Sequence, residues 1–216
     1  QNSNGDFIAV GSAKTNNLDK QVYIVKLNKQ GKLKWQRTVG PSSKDVANDI
    51  LYTNSGNYLL TGTTKKWGYN SKGIYVLNFK LRSGGQEGIE KRWDKVLGAP
   101  GKANKGIAAG QLSGGDFAIT GYTGYDQNAN QSNEEIYVTR LGNNGHVKWG
   151  RTIGNSNTDD PHDMTVDNND DIVVTGHGKV SVNGNDKISV IVTKLDTNGN
   201  LQWSTGFRTK GKTSYG

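Results

Sequence analysis

Apolar and polar residues alternate along four short stretches of this chain, with the period of two that a half-buried β-strand requires. They begin Val22-Tyr-Ile-Val-Lys-Leu, Ile74-Tyr-Val-Leu-Asn-Phe, Ile136-Tyr-Val-Thr-Arg-Leu and Val190-Ile-Val-Thr-Lys-Leu. Each runs through a turn into a second strand that carries a tryptophan, as in Val22–Gly40 (VYIVKLNKQGKLKWQRTVG) and Ile136–Gly154. Trp35, Trp93, Trp149 and Trp203 stand 58, 56 and 54 residues apart. A nearly fixed spacing of this size marks a solenoid, a propeller or an array.

A second repeated run precedes each alternating stretch: Gly5-Asp-Phe-Ile-Ala-Val-Gly11, Gly56-Asn-Tyr-Leu-Leu-Thr-Gly62, Gly115-Asp-Phe-Ala-Ile-Thr-Gly121 and Asp170-Asp-Ile-Val-Val-Thr-Gly176. Aromatic and β-branched residues bounded by glycine predict a strand, and the closing glycine predicts a bulge or a close backbone approach. A weaker strand with small residues lies ahead of it at 45–53, 106–112 and 161–166, as suits an inner strand crowded around an axis. One repeat therefore reads as strands a, b, c and d, joined by ordinary turn chemistry such as Asn54-Ser-Gly and Asp196-Thr-Asn-Gly. Four antiparallel strands per unit make a propeller blade.

The predicted fold is an all-β β-propeller in one domain, built from repeats of about 54 residues at roughly 5–55, 56–114, 115–169 and 170–216. The first blade lacks its innermost strand, because the chain opens at strand b. Three explanations stay open: a segment of a longer ring, a three-stranded first blade, or a strand from another chain. A four-unit structure with imperfect closure is the favoured expectation.

The pattern Gly-(Asp/Asn)-(Phe/Tyr)-x-x-(Thr/Val)-Gly, then (Ile/Val)-Tyr-(Val/Ile)-x-(Lys/Arg)-Leu-x-x-x-Gly-x-x-x-Trp, resembles the repeats of bacterial exported propellers of the seven-bladed type. Its Gly-x-x-x-Trp resembles the tryptophan-docking motif of quinoprotein-like propellers. That resemblance implies that Trp35, Trp93, Trp149 and Trp203 are structural, each packing on a neighbouring blade. It implies nothing definite about function, since such propellers serve as adhesin parts, enzyme accessories and scaffolds.

Composition narrows the picture a little. Thirty glycines against three prolines point to tight turns, and no cysteine rules out disulfides and thiolate metal sites. No apolar run approaches the ~18 residues of a membrane span. No basic-then-apolar leader stands at Gln1, so an export signal is expected outside this stretch, with an extracellular or cell-surface location. The net charge of +8 suits an acidic partner such as an anionic polysaccharide; nucleic acid is not expected. Lys26, Lys29, Lys32, Lys34 and Arg37 cluster on the first c–d hairpin, either as an anion patch or as a solvated edge.

Candidate chemistry concentrates in the variable b–c loops, the usual home of recognition on a rigid frame. These hold Lys65, Lys66, Trp67, Tyr69, Tyr122, Tyr125 and His177, the predicted ligand-binding set. Trp67 is the one tryptophan outside the repeat position, and aromatic rings beside polar groups suit sugar faces or a protein contact. No metal site is expected: Asp159-Asp-Pro-His-Asp163 offers ligand types but runs into strand a, and Asp167-Asn-Asn-Asp-Asp171 aligns with the turns Asn54-Ser-Gly and Ser113-Gly-Gly and lacks the glycine and bidentate glutamate of a calcium loop. No cofactor is expected, the chain being too short for a quinone-binding ring. His146, His162 and His177 lack a nucleophile motif. Asp49 and Asp163 share a repeat position and read as structural. These features predict a non-enzymatic binding or adhesion module recognising a glycan or a protein. The alternatives are a scaffold or assembly segment, as a homo-oligomer or part of a larger parent chain, and a carbohydrate-active enzyme. The last needs an acidic pair in the axial cavity, whose spacing is purely spatial.

Overall fold

A computed structural model describes residues 1–14, 20–40, 44–65, 72–82, 87–98, 102–125, 134–154, 159–182 and 185–207. Every regular element among them is a strand, and every pairing is antiparallel. The first sheet has three strands, β1 (Phe7–Lys14), β2 (Lys20–Leu27) and β3 (Leu33–Val39). The second runs β4 (Val46–Tyr52), β5 (Tyr58–Thr64), β6 (Gly73–Leu81) and β7 (Ile89–Leu97) from inside to outside. The third is β8 (Ala103–Gln111), β9 (Phe117–Tyr125), β10 (Glu135–Leu141) and β11 (Val147–Ile153). The fourth is β12 (Asp160–Val166), β13 (Ile172–Val182), β14 (Asn185–Leu195) and β15 (Leu201–Phe207). The strands anticipated from alternation are present. The fourth b–c connection differs: β13 and β14 extend into the stretch 177–189 that was read as loop, where alternating β-branched residues prolong the hairpin.

Each pair of successive sheets encloses its own apolar core. Val22, Ile24 and Trp35 meet Tyr58, Leu60 and Phe79 between the first and second sheets. Leu59, Ile74 and Val76 meet Phe117, Ile119 and Leu141 between the second and third. Ile136 and Val138 meet Ile172, Val174 and Leu195 between the third and fourth. Because the second and third sheets are covered on both faces, β5 is buried at every residue, whereas β15 is exposed along its whole length. This is a propeller-like array.

The tryptophans add a directional contact. The indole N–H of Trp93 donates to the carbonyl of Asn143 at 2.9 Å, and that of Trp149 to Thr197 at 3.1 Å, each in the c–d turn of the next sheet. The ring lies so close to that turn's glycine that a Cβ on Gly145 would come within 2.8 Å of Trp93, and one on Gly199 within 3.0 Å of Trp149. Trp35 is buried, and Trp203 is 45% exposed.

Opposite each of these strands the register slips by one residue, between Lys26 and Leu27, Asn78 and Phe79, Arg140 and Leu141, and Lys194 and Leu195. A bulge re-aims a side chain. In the first and third sheets it turns Lys34 and Lys148 onto Asp6 and Asp116, at 3.1 and 2.6 Å. Lys26 and Arg140 complete the two clamps from strand c. Asp6 is held below the usual carboxylate range by hydrogen bonds from Lys26 and Lys34. Two cations of the first c–d hairpin are thus engaged by a carboxylate.

Candidate functional site

Strand a carries a second repeated bulge. Its pairing with strand b skips Asn48, Ile107 and His162, and in each case the residue before the skip faces a glycine: Ala47 faces Gly62, Gly106 faces Gly121, and Pro161 faces Gly176. A side chain on any of these glycines would strike backbone, with contacts of 1.9 Å to the Val46 carbonyl, 2.1 Å to Lys105 and 2.2 Å to Asp160. Glycine is required there by the close approach of two main chains. The bulges bend strand a just where the b–c ends of the sheets converge.

That end is stitched by a hydrogen bond made three times. An N–H at the entry to strand a donates to a carbonyl at or just before the start of strand c in the preceding sheet: Asp45 to Lys20, Asn104 to Lys72, and Asp159 to Glu134, at 2.7, 2.8 and 2.8 Å. Lys20, Lys72 and Glu134 therefore occupy one repeat position around the mouth. In the third sheet the stitch brings Glu134 beside Asp160, the first residue of β12. Burial pushes the Glu134 carboxyl above its usual range and the Asp160 charge adds to this, while Lys105 opposes it. A carboxyl pushed above its usual range beside a second carboxyl is an arrangement suited to acid–base chemistry.

Two residues further in, Asp49 is also pushed up by burial, with a smaller contribution from the Asp163 charge. Its Oδ2 accepts from the Ala109 N–H of the third sheet at 2.9 Å, and its Oδ1 from Ile50 at 2.7 Å. Asn48 Nδ2 donates to the Gly106 carbonyl at 2.6 Å. These bonds make Asp49 and Asn48 latches between the inner strands of the second and third sheets.

A cavity of about 410 Å³ opens at this same end, walled by Val46, Asn48 and Thr63 of the second sheet and Lys105 and Tyr122 of the third. Four further lysines reach it: Lys14, Lys20, Lys44 and Lys72. A larger hollow of about 500 Å³ lies at the opposite end around Trp93 and Asn143, away from the carboxyl pair.

Of the residues singled out from sequence, Tyr122 lines the axial cavity, with the Lys105 ammonium 5.8 Å from its ring centre. His177 sits in β13, its Nδ1 2.9 Å from Nε2 of His162, the bulged residue of β12. With Asp160 these imidazoles place three donor atoms within 4.8 Å of one another, types a divalent transition metal accepts. The hydrogen bond between the rings already satisfies the two facing nitrogens. Lys65 is exposed just beyond β5, and Tyr125 is the last residue of β9. Lys66, Trp67 and Tyr69 lie outside the described residues. Sequence reasoning missed Glu134, Asp160 and the cavity lysines. Aligning the residues two before Val22, Ile74 and Ile136 would have shown lysine, lysine and glutamate at one position.

The chain matches no protein-family model and no curated protein sequence. It is similar to solved structures. The GH43 endo-arabinanase of Bacillus licheniformis matches with a TM-score of 0.53 and 13% identity over 96% of this chain and 77% of that one. The arabinanase of Bacillus subtilis gives 0.52 and 12% over 97% and 73%, and the endo-arabinase of Bacteroides thetaiotaomicron gives 0.53 and 14% over 95% and 77%. The expectation of a non-enzymatic binding or adhesion module is corrected here, since these neighbours are enzymes. It had rested on the want of a contiguous catalytic motif. Glycoside cleavage needs none, because two carboxyls at a set spacing come from strands far apart in the chain. At this level of identity the likeness is one of fold: the chain is built like the five-bladed β-propellers of the GH43 arabinanases.

Proposed function

We propose that this chain is a carbohydrate-active propeller that hydrolyses glycosidic bonds at its axial mouth, with Glu134 as general acid and Asp160 as the second carboxyl of the pair. The observation that carries the reading is the pair itself: Glu134, half-buried with its carboxyl pushed above the usual range, set beside Asp160 by the Asp159–Glu134 stitch. Glu134 delivers a proton to the glycosidic oxygen as the bond to the anomeric carbon breaks. Asp160 then takes a proton from the attacking water, or attacks the carbon itself in a two-step route. The fold likeness makes arabinofuranosides the first substrates to try.

The reading extends to organisation and location. The chain is taken as one propeller domain of four repeats of the exported bacterial type, acting outside the cell. The resemblance of its repeats to those of exported propellers supports this. Among the described residues no helix is long and apolar enough to cross a membrane.

The test is turnover of aryl arabinofuranosides, arabinan and a panel of other polysaccharides by the purified chain. Glu134→Gln should lower kcat by about 10²–10⁴, the usual contribution of a general acid. Asp160→Asn should lower it comparably. The reading is overturned by full activity in either variant, or by a wild-type chain that cleaves nothing on the panel. NMR of the first product anomer reports whether the route inverts or retains.

A further inference from the structure

The bulge in strand a gathers three side chains at the mouth end of each sheet that has one. They are the ejected residue, the residue two before it, and that residue's partner on strand b. Residues two apart on a strand, and residues directly opposite across an antiparallel pair, project to the same side. In the second sheet the three are Val46, Asn48 and Thr63, all in the wall of the 410 Å³ cavity. In the third they are Lys105, Ile107 and Tyr122, of which the first and last line that cavity. The fourth sheet fills the same slot with Asp160, His162 and His177. One ligand atom from each of these lies within 4.8 Å of the other two. The scaffold makes the slot; the carboxylate and the two imidazoles belong to the fourth sheet's own version of it.

We propose that Asp160, His162 and His177 bind a divalent first-row transition metal of tetragonal or octahedral habit, nickel(II) or copper(II) in class. The spacing of the imidazoles argues for that class. His177 Nδ1 and His162 Nε2 stand 2.9 Å apart. Two metal–imidazole bonds of about 2.0–2.1 Å closing on that base meet at about 90°, the angle between adjacent ligands in those geometries. A tetrahedral site would hold the nitrogens about 3.3–3.4 Å apart. The hydrogen bond between the rings is exchanged when the ion enters. One ring lends its N–H to the other; on binding it moves that proton to its other nitrogen, and both facing nitrogens turn lone pairs to the metal. Both imidazoles stay neutral throughout, and Asp160 supplies the negative charge. Calcium and magnesium, which take oxygen ligands, are poor guests for two imidazoles. His162 is exposed, so the ion enters from solvent and water completes its shell. The site shares Asp160 with the hydrolytic pair, so an occupied site takes that carboxyl out of the reaction and switches cleavage off. That consequence rests on the hydrolytic reading; the site itself does not.

Calorimetric titrations with nickel, zinc and calcium chlorides test the site, run on the tag-free chain and on Glu134→Gln, in which cleavage is blocked. Nickel should bind both at one ion per chain, more tightly than zinc and at least tenfold more tightly than calcium. His162→Ile and His177→Thr install the residues that the third and second sheets carry at those positions, Ile107 and Thr63, so the slot accommodates them. Outer-shell partners alone are worth about 10–100-fold in metal affinity, so losing a ligand should weaken nickel binding at least tenfold in each variant. His146→Gln, in the c–d turn at the other end of the third sheet, should leave it within twofold. In the copper-loaded chain the EPR spectrum should show coupling to two ring nitrogens, and to one in each variant. Nickel binding unchanged in either histidine variant, no binding by the wild-type chain, or tighter binding of zinc or calcium overturns the proposal. Nickel binding by a chain that cleaves no glycan leaves this site standing and sinks the hydrolytic reading. Cleavage by a chain that binds no nickel does the reverse.

Discussion

Gly31 and Gly145 occupy the same place in two c–d turns, with φ of 77° and 81°, but only one of them meets an indole. A Cβ on Gly145 would lie 2.8 to 3.2 Å from three atoms of the Trp93 ring, whereas at Gly31 no described heavy atom comes within 4 Å. Alanine at either site must adopt a left-handed backbone, which costs about 1–2 kcal/mol. At Gly145 it must also displace the Trp93 ring, an overpacking cost of about 1–3 kcal/mol. The hydrogen bond from the indole N–H to Asn143, 2.9 Å long, is strained by the same shift. Gly145→Ala is therefore expected to lose about 2–5 kcal/mol in total, against about 1–2 kcal/mol for Gly31→Ala. Urea titration monitored by tryptophan fluorescence measures both. In a chain of this size the extra loss lowers Tm by about 2–4 °C per kcal/mol. Equal destabilisation by the two alanines would mean that the indole does not bear on the neighbouring turn, and the account of how successive sheets are joined would fail.

Two further substitutions probe the other ends of the frame. Trp149→Ala should cost about 2 kcal/mol through lost packing on Gly199 and the lost bond to Thr197, while Trp203→Ala, on the exposed β15, should cost under about 1 kcal/mol; comparable losses in unfolding midpoint would contradict this. Asp49→Ala orphans the Ala109 N–H and should cost about 1–3 kcal/mol, whereas Asp49→Asn keeps one of the two acceptor oxygens, turning a donor NH2 toward the other N–H, and should cost less than the alanine. Because burial raises the Asp49 carboxyl, its ionisation disfavours the folded state. Its destabilising contribution is absent below the ordinary aspartate range and grows as pH rises to the shifted value. Asp49→Asn should remove that part of the pH profile, and an unchanged profile would count against it.

Much of the frame was legible because it is periodic. Alternation in strand c, the glycine-bounded runs of strand b and the spacing of the tryptophans located nearly every strand within a few residues. The glycines at 62, 121 and 176 announced the approach of two main chains, and the bulges lie where they do. What repetition hides is difference. Glu134 and Asp160 belong to separate repeats, and neither is unusual in its own sequence context; only the stitch from Asp159 brings them together. The lysines of the mouth come from three sheets, so no local run of charge betrays them, while the run that stood out, on the first c–d hairpin, is partly spent on Asp6. The extended β13–β14 hairpin was misread because glycine and asparagine interrupt its alternation.

The bulge in strand a separates two jobs that side chains usually share. Its bend is imposed by main chain pressing on main chain at Gly62, Gly121 and Gly176, so the bend does not depend on which side chain is ejected, even where that side chain, as Asn48 or Ile107, goes on to brace a neighbouring strand. Asparagine, isoleucine and histidine stand in that slot in turn, as do threonine, tyrosine and histidine one step beyond the glycine. A lineage carrying this scaffold could exchange the groups around its opening one at a time, acquiring new specificity without first buttressing the walls.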